Sequence, residues 1–239
     1  MKVDYSKEDL ILKVYPTVGG CFEEGWTVLK KHFLVLLLAI IFMGFVQIPM
    51  GLNKIDWNNI DFFGFQLFSL KILAFFYYLL VVIPFKYGID WLFLRASRNT
   101  EPQMEEILKG FKRLVPVVLS QILVFFIVGF GFVLLVLPGI YLICKMIFVP
   151  FLVLDKKVDA IQAVKLSFYM SKGYFWTIFG MAILSFFIFI LGLICLIVGV
   201  VISIVWIRAA FAVLYKAVDE LHFKEACELA GISFESIKN

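Results

Sequence analysis

The sequence predicts an all-α, polytopic integral membrane protein with about six transmembrane helices, arranged as three hairpins with interfacial amphipathic helices. Three observations carry this. Residues 173–207 contain no Asp, Glu, Lys or Arg. At about 1.5 Å per helical residue that stretch is roughly 50 Å long, too long for one crossing of a hydrocarbon core about 30 Å thick. Residues 114–144 are equally bare and carry Pro138-Gly139 towards their far end. Finally, 63% of the chain is apolar, 28 residues are Phe, and the mean hydropathy is +1.00, which excludes an ordinary soluble domain.

Residues 1–31 read as a cytoplasmic amphipathic segment. They mix Lys2, Lys7, Lys13, Lys30 and Lys31 with Asp4, Glu8, Asp9, Glu23 and Glu24. No short apolar stretch with a small-residue cleavage site is expected here, so the first span should itself direct insertion. A membrane domain over 32–216 follows, with spans at 32–52, 68–92, 114–137, 140–154, 174–193 and 196–216. The fourth is short and holds Lys145 and Pro150, so it sits in thinned bilayer, is partly re-entrant, or relies on snorkelling flanks. The last piece, 217–239, reads as a cytoplasmic amphipathic tail whose helix ends near Gly231.

Basic residues alternate from one connection to the next. Residues 95–113 carry Arg95, Arg98, Lys109, Lys112 and Arg113, and 155–173 carry Lys156, Lys157, Lys165 and Lys172. The connection 53–67 has only Lys54, against Asp56 and Asp61. The excess of bases on alternate connections places both termini in the cytoplasm. The other two far-side turns are bare, one at Pro138-Gly139 and one between Gly192 and Gly199. Proline and glycine suit a tight reversal, and small residues allow close helix packing.

Glu23-Glu24, then Lys30-Lys31 and a span, recur 82 residues later as Glu105-Glu106, then Lys112-Arg113 and a span. Phe22, Trp26, Leu29 and Phe33 share one helical face, as do Met104, Ile107, Phe111 and Leu114. A looser third copy runs through Ile161, Val164 and Phe168 to Ser171-Lys172. Three units are expected, each an interfacial helix leading into a two-span hairpin.

Charges at membrane depth are the candidate site residues, because burying them is costly. They are Lys71 and Lys145, both expected towards the outer surface, and the deeper Arg208. Two readings stay open: snorkelling to headgroups, or an anion or lipid site between hairpins. Lys86 and Asp90, four apart, read as a structural ion pair. No catalytic residue, metal site or cofactor is expected. His32 and His222 are the only histidines, and Asp219, His222 and Glu225 share a face best read as solvated. Cys21, Cys144, Cys195 and Cys227 show no paired spacing.

Leu137-Pro138-Gly139-Ile140-Tyr141, then Lys145, Ala163 and Ser167, and Ser171-Lys172-Gly173-Tyr174-Phe175-Trp176 form a recognisable pattern. It resembles uncharacterised bacterial multi-span families related to the membrane domain fused to glycerophosphodiester phosphodiesterases. The resemblance covers about 137–190 and carries no phosphodiesterase activity with it. It implies a bacterial cytoplasmic-membrane protein of about six helices. The expected function is non-enzymatic, a lipid-binding or scaffold role, with membrane lipids and other membrane proteins as partners and no nucleic acid. The alternative is a small transporter or permease for an amphipathic anion.

Overall fold

A computed structural model describes residues 16–52 and 64–233. Most of the 53–67 connection, with Lys54, and most of the N-terminal segment lie outside the described residues. Those described are 87% helical with no strand. Five helices are long and apolar enough to cross a membrane, or six if the bent first pair forms one span. The chain is an all-α polytopic membrane protein.

Helix α1, Val18–Lys31, starts where the Thr17 hydroxyl accepts from the Gly20 amide at 3.2 Å. Its buried face is Cys21, Phe22, Gly25, Val28 and Leu29, the i, i+4, i+7 stripe of an amphipathic helix. The chain then bends by 95° into α2, Phe33–Leu52. Span two comprises α3, Gly64–Tyr77, a π-helical turn at Tyr78–Val82, and α4, Ile83–Ser97. Pro84 has no amide hydrogen to give the ladder, and the π turn absorbs that break.

A short 3-10 turn, Met104–Leu108, and α5, Lys109–Lys112, precede α6, Leu114–Leu134. The reversal that follows differs from the one expected at Pro138-Gly139. It is made by Leu135, in extended conformation at φ −171° and ψ 159°. Pro138 is instead the third residue of α7, Val136–Met146, in the first turn, where amides have no intrahelical partner and a missing donor costs nothing. The fourth span therefore starts early. With α8, Val149–Asp155, it runs over Val136–Asp155, 20 residues, which is long and apolar enough to cross a membrane. It breaks at Ile147-Phe148, just before Pro150.

Helix α9, Ala160–Met170, opens with a capping box between Asp159 and Gln162. Helices α10, Phe175–Ile194, and α11, Leu196–Ala230, form the last hairpin. The helix does not break at 216, where the tail is expected to begin. Val218, Ala226 and Cys227 continue the buried face, so span six and the tail are one helix of 35 residues. It stops at Gly231, whose φ of 68° suits glycine.

The three spans that open the expected units are each preceded by a short helix, at 18–31, 104–112 and 160–170. These helices pack tightly on the bundle. A Cβ on Gly88 would lie 1.9 Å from the Ile107 carbonyl oxygen, and one on Gly110 would lie 1.9 Å from that of Pro84. Backbones of α4 and the 104–112 segment thus meet at two glycines. Nearly all the largest fully buried side chains, among them Tyr87, Phe93, Phe148, Leu152 and Tyr215, lie in the half nearer the basic connections. The opposite end, at the two bare reversals, exposes Val133, Leu137 and Ile194 by 85%, 80% and 75%.

Candidate amphipathic cavity

The three expected cations do not converge. Lys71 is exposed at the start of the second span, far from the other two. Lys145 is 4% exposed and is not near the outer end. The hydroxyls of Ser167 on α9 and of Ser171 at the C-cap of that helix donate to the Lys145 backbone carbonyl, at 2.7 and 3.4 Å, which sets it beside a basic connection. Arg208 donates to Asp90 at 2.6 Å. This corrects the expected Lys86–Asp90 pair. The partner of Asp90 comes from α11, 118 residues away, and Lys86 makes no ion pair among the described residues.

Around that bridge lies a cavity of about 620 Å³, lined by α4, α6, both halves of the broken fourth span, and α11. Ile147 and the first residues of α8, Val149, Pro150 and Phe151, line it, so the two-residue interruption of the fourth span falls at the cavity wall. Lys86, Asp90, Gln121 and Arg208 supply its polar groups. Tyr87 also lines the cavity, and its hydroxyl shares a hydrogen bond of 3.1 Å with Ser120. Phe125, Val128, Phe132, Ile143 and Phe211 make the walls apolar. Two cations and one carboxylate leave one net positive charge at the polar end. The volume lies in the range for one medium-sized ligand, about 300–1,000 Å³.

A second charged cluster closes the basic end. Arg98 donates to Asp155 at 2.8 Å and to Asp219 at 3.0 Å. Lys156 donates to Asp219 at 2.9 Å, and the Tyr215 hydroxyl donates to Asp155, also at 2.9 Å. The carboxylate side chains are only 6% and 9% exposed. Burial opposes the charge on Arg98, but the hydrogen bond to Asp155 and its negative charge outweigh it and hold the guanidinium above its usual value. Asp219 is therefore committed to cations. His222 pairs with Glu225 at 3.1 Å and packs edge-on against the Tyr174 ring, so Asp219, His222 and Glu225 do not assemble as a ligand set. No cluster of three metal-ligating side chains occurs among the described residues. Glu24 pairs with Lys216 at 3.1 Å, and Glu106, its counterpart 82 residues on, pairs with Arg95.

The two expected packing turns fare differently. At Gly192, a Cβ would meet the Ser203 hydroxyl at 2.2 Å and the Gly199 carbonyl oxygen at 2.7 Å. At Gly199, it would meet the Gly192 carbonyl oxygen at 2.5 Å. These glycines let α10 and α11 touch backbone to backbone. Gly139 is a packing position too, under the ring of Phe132, but it lies inside α7 and makes no turn.

Fold and cavity define a class: a polytopic helical membrane protein with an amphipathic pocket between four of its spans. Compared with known protein families, curated proteins and solved structures, the chain shows no significant match.

Proposed function

We propose that this chain is a non-enzymatic membrane protein that binds an anionic, lipid-like amphiphile in the cavity, with both termini in the cytoplasm of a bacterial cytoplasmic membrane. The observation that carries the reading is the pairing of charges. Asp90 is bound by Arg208 and also feels the charge of Lys86, so two cations share one carboxylate and one positive charge is left in excess at the polar end of a cavity with apolar walls. A cation at membrane depth without a counter-ion is costly, and an anionic headgroup lowers that cost. The bases gathered on alternate connections support the orientation.

Native mass spectrometry of the protein purified in mild detergent tests the proposal. The wild type is expected to retain an anionic lipid that Lys86→Ala loses. Equal retention by both would overturn it. A second reading, transport of the same anion, rests on the break in the fourth span beside the cavity, which gives one wall a joint. Flux into proteoliposomes that is abolished by Lys86→Ala would favour transport over static binding.

A further inference from the structure

Lys145 lies outside the cavity, on the other face of α7 from Ile143 and Met146, which line it. It is packed to 4% exposure, and no carboxylate is within ion-pair distance of it among the described residues. Its ammonium sits 5.4 Å from the centre of the Tyr141 ring and 5.1 Å from that of Phe168. Lys172 is exposed, has no ion pair either, and its charge adds repulsion at Lys145. The ring faces and the C-terminal end of α7 offset part of this positive charge, but neither ammonium has an anionic partner among the described residues.

The surroundings supply the rest of a site. Tyr141 and Phe168, the two rings that flank the ammonium, are themselves 41% and 39% exposed, so it lies beneath side chains that reach the surface. The Phe175 ring lies 5.3 Å from that of Tyr141 at a tilt of 44°, and Trp176 beside it is 76% exposed. Cations flanked by exposed aromatic rings at the start of a span are the side chains that membrane–water interfaces select. Basic pockets between membrane helices hold phospholipid headgroups.

We propose that Lys145 and Lys172 form a second anion site, which takes a phosphate group at the boundary between α7, α9 and α10. A bilayer phospholipid supplies the phosphate with its acyl chains along the exposed rings, or free phosphate supplies it alone. The site is independent of the cavity.

The full chain is tested in a Lys86→Ala background, which removes the free charge of the cavity. Thermal unfolding is followed in detergent with added phosphatidylglycerol, phosphatidylcholine or inorganic phosphate. Phosphatidylglycerol is expected to raise Tm and phosphatidylcholine to leave it unchanged. Lys145→Met and Lys172→Gln should each lose most of the rise, and Lys145→Arg should keep it. An equal rise with inorganic phosphate would assign the source to the free anion. Should Lys145→Met fail to fold, the exposed Lys172→Gln decides. A rise in Lys172→Gln and Lys145→Met as large as in their parent would overturn the site and return Lys145 to a packing role.

Discussion

The two ends of this bundle are built on opposite terms. At the basic end, helices cross at glycines, the largest side chains are sealed, and nearly every described ion pair is found there or just above. At the apolar end, the reversals at Leu135 and Cys195 expose aliphatic side chains and carry no charge. The contrast follows from the solvent. Apolar surface facing lipid gains nothing by being buried against protein, so association there depends on close packing and not on a hydrophobic drive. Polar groups and charges have no such freedom, and they collect where partners and headgroups are within reach.

Four substitutions break or sharpen that contrast. The largest effect is expected at the glycine crossing. Gly88→Leu puts a side chain into the Ile107 carbonyl, so no monodisperse folded protein should be recovered by size exclusion. Next comes Asp155→Ala, which strands Arg98 and the Tyr215 hydroxyl and removes a counter-ion from Lys156. Breaking a buried pair from one side costs about 3–5 kcal/mol, to be read from denaturant or thermal unfolding in detergent. Gly199→Leu should cost less, about 1–3 kcal/mol by overpacking, because only the tip of the last hairpin must part. The same unfolding assay measures it. Smallest is Leu137→Ala at the apolar end, expected within about 0.5 kcal/mol of wild type by that assay. A large loss at Leu137 would mean that a partner covers this end.

Thiol chemistry reads the same contrast without mutation. Cys195 at the apolar reversal is exposed, whereas Cys21, Cys144 and Cys227 are buried. One modified thiol per chain is expected in native micelles and four after unfolding, counted by mass.

Much of the fold was legible because hydrocarbon forbids charge, so uncharged runs mark spans directly. The start of α6 at Leu114 and the hairpin near Cys195 follow from that rule alone. The misplaced reversal shows its limit. Pro138-Gly139 has the composition of a turn, but proline is equally at home in the first turn of a helix, and only the extended Leu135 decides between them. The candidate site was less legible. Arg208 was recognisable as a buried cation, but its partner Asp90 lies in another hairpin, and nothing local in either stretch encodes the pairing. Asp155 and Asp219 left a faint trace, as carboxylates placed among bases and at the end of, or beyond, an apolar run. The helical phase that turns both towards Arg98 emerges only from packing.

The uncharged apexes bear on how the molecule enters its bilayer. An apex that carries an ion must desolvate it on the way across, at roughly 2.5–3.5 kcal/mol for each charge at the centre. The reversals at Leu135 and Cys195 bring none, and Pro138 removes one further amide donor from the leading turn. Each of these hairpins can therefore be threaded into lipid as a preformed pair, apex first. In the proposed orientation, the connection between the first two spans, with Lys54, Asp56 and Asp61, has to cross with its charges.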